Sequence, residues 1–414
     1  MHGDLSPLHG GFAPGADAIL ILSNGHGEDA MGALLARQLL SSGLSVRAFP
    51  VVGEGRAYAK VGVPVVGVQK SLPSGGFILE SARNLWRDLR AGLLGLTFRQ
   101  MRALRRLRAN VSWAVAVGDV YVLFLAAYVL RRPVVFLPTA KSEYIRGHFG
   151  WEYAMMRRRA ARVFPRDAKT AEAMQVRGVA ASFVGNVMMD ALQVTGERFG
   201  VAPSERAVAI LPGTRADAYL NARKIFQVVP YLAGKGLRFL LALAEHLDPE
   251  ALADATGWSF VRRDAGGGLA AGAGLAESSA RASGQPGLVG AFRNGTMEVL
   301  CIQGMFGDVL NTADVVIGLS GTGNEQAAGM GKPVIAFVGE GVQFTKGFAA
   351  DQKRLLGEAL SLVEGGPEAV AAEVERILGD PETYARMAAC GRQRMGPPGA
   401  AKRITAEIVR LARG

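Results

Sequence analysis

The residues of this chain best suited to chemistry fall in two glycine-rich turns and at one strand end. Ser320, Gly321, Thr322 and Gly323 follow an apolar run, residues 313–319, and stand just before Glu325 and Gln326. Small residues between a strand and a helix leave backbone N–H groups of the turn open to an anion, and a nearby acid or amide can bind a sugar hydroxyl. Far earlier, Ser23, Asn24, Gly25, His26, Gly27 and Glu28 also follow an apolar run. Imidazole takes and gives protons readily near neutrality, so His26 can act as a base or bind a polar group. Glu28 and Asp29 sit where the next helix starts, where a carboxylate either caps the helix or meets a ligand. Asp119 directly follows the apolar residues 112–117 and Gly118; it can be a base, orient one, or cap a helix. Arg215 in the PGTR stretch has a guanidinium fork that matches phosphate oxygens, or it pairs with Asp217 at the surface. A base in one turn and an anion nest in another describe an enzyme acting on a diphosphate-containing substrate.

These groups need strands and helices to hold them, and the apolar patterning supplies both in alternation. Strands are predicted at 18–23, 45–51, 61–68, 112–117 and within RRPVVFLPTA, the last ending in Pro138 and Thr139, with short ones at 162–164 and 181–184. Helices are predicted at 29–42, 120–130 and 167–177. After a connection at 190–206 the pattern resumes with strands at 207–211, 238–242, 297–301, 314–318 and 333–338. Helices at 219–233, 304–311 and 324–330 alternate with them, and further helices follow residue 347. Pro397 and Pro398 interrupt the last helical run, so residues 400–411 read as a helix that crosses back to the first domain. Strand and helix in strict alternation predict parallel sheets covered on both faces.

At 414 residues, with 49% hydrophobic and 54 glycines, the chain is long enough for two α/β cores. We read residues 16–195 as an acceptor- and membrane-facing Rossmann-like domain, 205–396 as a second such domain, and 397–414 as the crossing helix. Residues 265–287 are a low-complexity insertion of small residues, and residues 1–15 a loose tail without a secretory pattern. Cys301 and Cys390 give neither a disulfide framework nor metal spacing, which reads as two buried bystanders in a reducing compartment. The stretch 111–130 has the length of a membrane span. Asp119 within it favours a strand, a turn and a helix instead.

The formal charge of +11 draws anionic partners. Residues 83–108 hold arginines against the single acid Asp88, interleaved with apolar side chains. A helix so composed fits an anionic membrane surface, with Trp86, Arg87, Arg90, Leu93, Leu94 and Phe98 as contacts.

Five stretches, taken in order, resemble GT-B glycosyltransferases, specifically the lipid-A-disaccharide synthase family: HGEDAMGALLARQL, GDVYVLFLA, VFPRDAKTAEAMQVRGVAASFVGNVMMDAL, ILPGTRADA and GLSGTGNEQAAGMGKPVIAF. The resemblance spans roughly residues 18–410. It implies two Rossmann-like domains facing across a cleft. The second would bind a UDP-sugar, and the first would present a lipid-linked or acylated sugar acceptor. Under it Arg215, Ser320, Gly321, Thr322, Gly323, Glu325, Gln326, Gln343 and Lys346 are donor-binding. Asp119, His26 and Glu28 are catalytic, and Ser23, Asn24, Gly25, Gly27 and Asn186 are acceptor-side. The acid that the family carries four residues after the threonine aligns with Gln326, whereas this chain has Glu325. SNGHGED replaces the family's glycine, glutamate and serine pattern, and its histidine is similar to that of the transferase that adds N-acetylglucosamine to the peptidoglycan lipid precursor.

The resemblance further implies inversion at the anomeric carbon. We expect no cofactor and no metal, a peripheral site on the cytoplasmic face of the inner membrane, and a monomer or homodimer that does not bind nucleic acid. The rival readings are a UDP-sugar 2-epimerase of the same architecture and an inactive lipid-binding relative.

Overall fold

The computed structural model describes residues 18–67, 93–263, 286–341 and 344–413. The tail at 1–15, the expected contacts Trp86, Arg87 and Arg90, the donor candidate Gln343 and residues 265–285 of the insertion lie outside the described residues. The chain divides into two compact units. Unit 1 is Met1–Ala191 with Gly396–Gly414, and unit 2 is Leu192–Met395.

Unit 1 is built on a five-stranded parallel sheet of order β2-β1-β3-β4-β5. Its strands are β1 (Ala18–Ser23), β2 (Val46–Pro50), β3 (Val111–Gly118), β4 (Val134–Pro138) and β5 (Ala160–Val163). Every side chain of β1 is buried, as expected for a parallel strand covered on both faces. Alternate residues serve opposite cores, because successive strand side chains point to opposite faces. Ile19 and Ile21 pack with Leu35 and Leu39 of helix His26–Ser41 and with Ile404 and Ile408 of helix Ala400–Arg413. Leu20 and Leu22 pack with Leu104 of helix Leu93–Leu107, Leu123 and Leu125 of the segment 120–130, and Met156 of helix Gly150–Arg159.

The sequence reading needs correction at several elements. Of the strand expected at 61–68, residues 61–67 are described and form no strand. Val65 makes one parallel bridge to Ala48, and Ala181 makes one to Val163 in place of a strand at 181–184. The helix expected over 120–130 is α-helical only at Val120–Phe124 and continues as a π-turn at Leu125–Leu130. Cys301 is buried, whereas Cys390 is partly exposed.

Helix Ala400–Arg413 belongs to unit 1 and is fastened by one carboxylate. Asp190 accepts from the N–H groups of Gly399 and Ala401, both at 2.6 Å, at the helix start where the dipole favours an anion. Arg403 closes the same joint, donating to the carbonyls of Val184, Pro397 and Pro398. Burial of Ile404 and Ile408 contributes about 1.5–3 kcal/mol each.

Unit 2 holds an eight-stranded sheet of order β13-β12-β11-β6-β7-β10-β9-β8. Its strands are β6 (Arg206–Leu211), β7 (Leu237–Ala242), β8 (Ser259–Arg262), β9 (Leu288–Asn294), β10 (Met297–Ile302), β11 (Val315–Gly318), β12 (Val334–Ala336) and β13 (Leu360–Leu362). Six are parallel neighbours in sequence along the sheet, from β13 to β10, while β9 runs antiparallel to both β10 and β8. The strict alternation read from the sequence misses this antiparallel edge.

Candidate functional site

Both sheets reverse their order of strand addition at one place, and the chemistry-bearing residues lie there. In unit 1 the chain goes to β2 on one side of β1 and to β3 on the other. In unit 2 it goes to β7 on one side of β6 and returns to β11 on the other. The two loops leaving such a pair of strands diverge to opposite faces and open a crevice at the strand ends, where ligands of open α/β sheets bind.

In unit 1 that crevice is lined by the 23–28 turn after β1 and by Asp119 after β3. Asp119 caps the following helix, its Oδ1 accepting from the N–H groups of Tyr121 at 2.9 Å and Val122 at 3.4 Å. Burial raises its pKa above the ordinary carboxylate value, against the lowering effect of those two N–H groups; Glu28 adds to the rise, and a hydrogen bond from Asn24 opposes it. Gly118, at φ 139°, admits Asn24. A Cβ there would overlap the Asn24 amide, and the backbone angle is one that favours glycine. Glu28 accepts from Thr139 Oγ1 at 2.9 Å, and Thr139 in turn is tied to β3 through its N–H on Gly118 O at 3.0 Å. Arg166 donates to the Thr139 carbonyl at 3.0 Å. His26 is exposed and lies beside Gly53, where an added Cβ would come within 3.3 Å of the imidazole. Asn24, Glu28 and Asp119 are therefore brought together, His26 stands exposed in the same turn toward Gly53, and Thr139 and Arg166 join them without having been candidates in the sequence.

Two acceptor-side candidates turn inward instead. Ser23 is fully buried and bonds to Asp29 and Tyr58. Asn186 is buried too, its amide donating to Arg166 O at 3.4 Å and accepting from Met188 N at 3.1 Å. Both brace the loops that carry the exposed groups.

In unit 2 the PGTR turn after β6 and the SGTG turn after β11 lie side by side. Leu319 N–H donates to Leu211 O at 2.8 Å, and Gly213, at φ 102°, approaches the Leu319 carbonyl. The helix here begins at Gly321, not at 324 as expected, so Gly321, Thr322 and Gly323 form its first turn and Ser320 is its N-cap residue. Glu325 and Gln326 consequently fall one turn further in and are 6% and 8% exposed. No acid stands in the first helical turn, which suits an anion at the helix start.

Neutral amides hold this nest. Asn324 donates to Gly318 O at 3.0 Å and to Gln352 Oε1 at 3.2 Å, and Gln352 donates to Gly321 O at 3.1 Å. Asn221 donates to Pro212 O at 3.0 Å under the neighbouring turn. The buried Oδ1 atoms of Asn324 and Asn221 have no hydrogen-bond partner and face the Cα groups of Gly318 and Gly339, where a side chain would collide with them. Arg215 and Thr322 are exposed, and His246, in the turn after β7, shares a ring-nitrogen hydrogen bond with Thr214 O at 2.8 Å. Lys346 is exposed at the first position of helix Lys346–Leu356, which Thr345 caps.

A third feature lies on one helical layer of unit 1. Helix Leu93–Leu107 buries Leu96, Gln100 and Leu104 toward the sheet, so these residues serve the core. Outward it shows Phe98, 64% exposed, with Arg99, Arg102, Arg105 and Arg106. The adjoining π-turn shows Tyr128 beneath the Arg159 guanidinium, 4.5 Å from the ring centre. Helix Gly150–Arg159 adds Trp151, 56% exposed, and Arg157, Arg158 and Arg159. Neither helix 93–107 nor the segment 120–130 contains an acid. The one acid of helix Gly150–Arg159, Glu152, is buried and paired with Lys141 at 2.8 Å.

Two Rossmann-like α/β units, each with its ligand crevice at a strand-order reversal, make up the architecture of the GT-B class. Solved structures bear this out over nearly the whole chain. The calicheamicin glycosyltransferase CalG4 matches at 14% identity with TM-score 0.58, covering 96% of this chain and 99% of that one. MurG from Acinetobacter baumannii matches at 15% identity with TM-score 0.56, covering 95% and 99%. The UDP-GlcNAc 2-epimerase from Neisseria meningitidis, bound to UDP-GlcNAc, matches at 12% identity with TM-score 0.56, covering 95% and 100%. No protein-family model matches the chain, and no curated protein is similar to it in sequence.

Proposed function

We propose that this protein transfers a sugar, with inversion, from a UDP-sugar held in unit 2 to a hydroxyl of a lipid-linked or acylated sugar presented in unit 1, as lipid-A-disaccharide synthases do. The observation that carries the reading is the division of chemistry between the two strand-order reversals: carboxylates and a histidine in unit 1, an uncharged amide nest with Arg215 beside it in unit 2.

In the reaction a base removes the acceptor proton as that oxygen attacks the anomeric carbon, and the bond to the diphosphate breaks with its electrons on the leaving oxygen. Asp119 is our choice of base, because burial keeps its carboxyl more basic than an ordinary one. His26 is the alternative, and Asn24 and Glu28 orient the acceptor. Gly321, Thr322, Gly323 and Arg215 stabilise the charge that grows on the diphosphate, with Ser320 and Lys346 at its margin. No metal is required in this scheme, since the nest and Arg215 meet the departing charge.

A helical layer whose one acid, Glu152, is buried supports a lipid acceptor. Exposed aromatic rings among arginines suit the boundary of an anionic membrane, with Phe98, Tyr128 and Trp151 at headgroup depth and the guanidinium groups on phosphates. No helix among the described residues is long and apolar enough to cross a membrane. From the exposed rings and arginines we infer peripheral attachment, at the cytoplasmic face of the inner membrane.

The test is incubation with labelled UDP-GlcNAc, UDP-glucose and UDP-galactose, each with total bacterial membrane lipid, alongside Asp119→Asn and His26→Ala. A labelled glycolipid lost on substitution is the expected result. Conversion of one UDP-sugar to its 2-epimer without lipid would favour the epimerase reading, which the fold of the Neisseria structure also allows. Binding to lipid vesicles with no donor consumed would favour an inactive relative.

A further inference from the structure

Beneath the 23–28 turn lies a hydrogen-bond chain that the chemistry above does not use. Ser23 Oγ donates to Asp29 Oδ1 at 2.6 Å and lies 2.7 Å from Tyr58 Oη. Ser23 and Tyr58 are fully buried and Asp29 is 2% exposed. Serine has one hydroxyl proton, and here it goes to Asp29, so the second bond is donated by Tyr58. The chain therefore runs from Tyr58 to Ser23 to Asp29 and ends on a carboxylate.

Its location gives it leverage. Ser23 is the last residue of β1, and its carbonyl accepts from Val51 N at 2.7 Å. Asp29 is in the first turn of helix His26–Ser41, with its N–H on Gly25 O at 2.8 Å. The Ser23 to Asp29 bond thus closes the base of the loop that carries Asn24, His26 and Glu28. Tyr58 comes from a separate helix, Arg56–Lys60, and reaches Ser23 only because residue 32 is glycine. A Cβ there would overlap the phenol oxygen.

We propose that Asp29 is the positioning residue of this turn: through Ser23 and Tyr58 it holds the loop in the shape that sets Asn24 on Asp119 and Glu28 on Thr139. Physical cost supports a purpose other than stability. Burial lifts the Asp29 carboxyl from 3.8 to about 6, against the lowering effects of Ser23 and His26, so the fold holds this group at the expense of stability near neutral pH. The assignment of a catalytic consequence rests on the acceptor-side reading of unit 1, whereas the positioning itself does not.

The experiment compares the full-length protein with Asp29→Asn, Tyr58→Phe and Asp29→Ala by hydrogen exchange and, in parallel, by steady-state transfer from UDP-GlcNAc to membrane lipid. We expect amide protection in peptides covering residues 24–30 and 118–124 to fall about tenfold in Asp29→Ala and Tyr58→Phe, and less in Asp29→Asn, whose amide oxygen still accepts from Ser23, while the rest of unit 1 keeps its protection. Turnover should fall at least about tenfold with the KM for UDP-GlcNAc unchanged, because a small misplacement of reacting groups is costly and the donor site is untouched. Unchanged exchange in both peptides would overturn the proposal, as would a uniform loss across unit 1. Local loss of protection with full turnover would overturn the catalytic consequence alone. If wild-type protein transfers nothing from this donor, the exchange result still decides the positioning claim, and the failure then belongs to the functional reading.

Discussion

The two strand-order reversals solve the same geometric problem with opposite materials. The turn after β1 rests on the buried carboxylate of Asp29 and presents Glu28, with Asp119 beside it after β3, so what lies beneath is as ionisable as what is presented. The turn after β11 rests on Asn324 and Gln352, and its neighbour after β6 on Asn221, all neutral. The difference follows from the charge each must meet. A site that removes a proton needs a basic group, and desolvation is the lever that makes a carboxylate basic. A site that holds an anion must offer oriented N–H groups with no competing negative charge, and amide side chains fix those N–H groups without adding any.

Breaking the contrast should be most costly at Asp119. Asp119→Asn keeps the cap but loses the base, and turnover should fall by about 10²–10⁴-fold, while UDP affinity measured by calorimetry stays within about twofold. An equal loss of UDP affinity would show that the two units do not divide the work.

The next effect concerns stability. Asp29 has a folded pKa of about 6 against an ordinary 3.8, so its stabilising effect is present below pH 3.8 and disappears as pH rises through 6. That displacement corresponds to about 3 kcal/mol. Denaturant melts of Asp29→Asn should therefore gain on wild type by up to about 3 kcal/mol between pH 3.5 and pH 7.5. A difference that is flat with pH would mean that Asp29 is charged in the fold without penalty.

On the neutral side, Gly318→Ala should displace Asn324, whose amide oxygen occupies the space of the new Cβ. The expected cost is about 2 kcal/mol in stability, with weakened UDP binding and no change in the pH dependence of folding. Smallest is Arg215→Ala. Losing one charge-assisted contact at an exposed residue should weaken UDP binding about tenfold, more so at low salt than at high.

Much of this layout was legible in the sequence, because a glycine turn after an apolar run is a local signal. It is enough to put Asp119, Asn24 and Ser320 in turns at strand ends, where the structure has them. What escaped detection depended on long-range approach. Tyr58 meets Ser23 across 35 positions, and Thr139 meets Glu28 across 111. Nothing in either neighbourhood announces the partner. The resemblance makes Ser23 and Asn186 acceptor-side, yet both are buried and brace the loops, because a motif match carries no information on which way a side chain turns. Helix Gly321–Gly329 begins earlier than its pattern indicates, because glycine and threonine at 321–323 look like loop until a helix forms over them. Tyr128 and Trp151 join the basic face through packing that the spacing within 83–108 could not disclose.

Asp190 also has a bearing on how the chain is made. Unit 2 is one continuous stretch, whereas unit 1 is split around it and receives helix Ala400–Arg413 only after all of unit 2 has emerged from the ribosome. During synthesis the part of this core that Ile404 and Ile408 fill waits exposed while the later unit folds, a period in which apolar surface invites chaperones or aggregation. The two short bonds from Asp190 to the incoming helix end that exposure. A chain shortened before residue 396 would be expected to fold its second half and leave its first half a substrate for proteolysis.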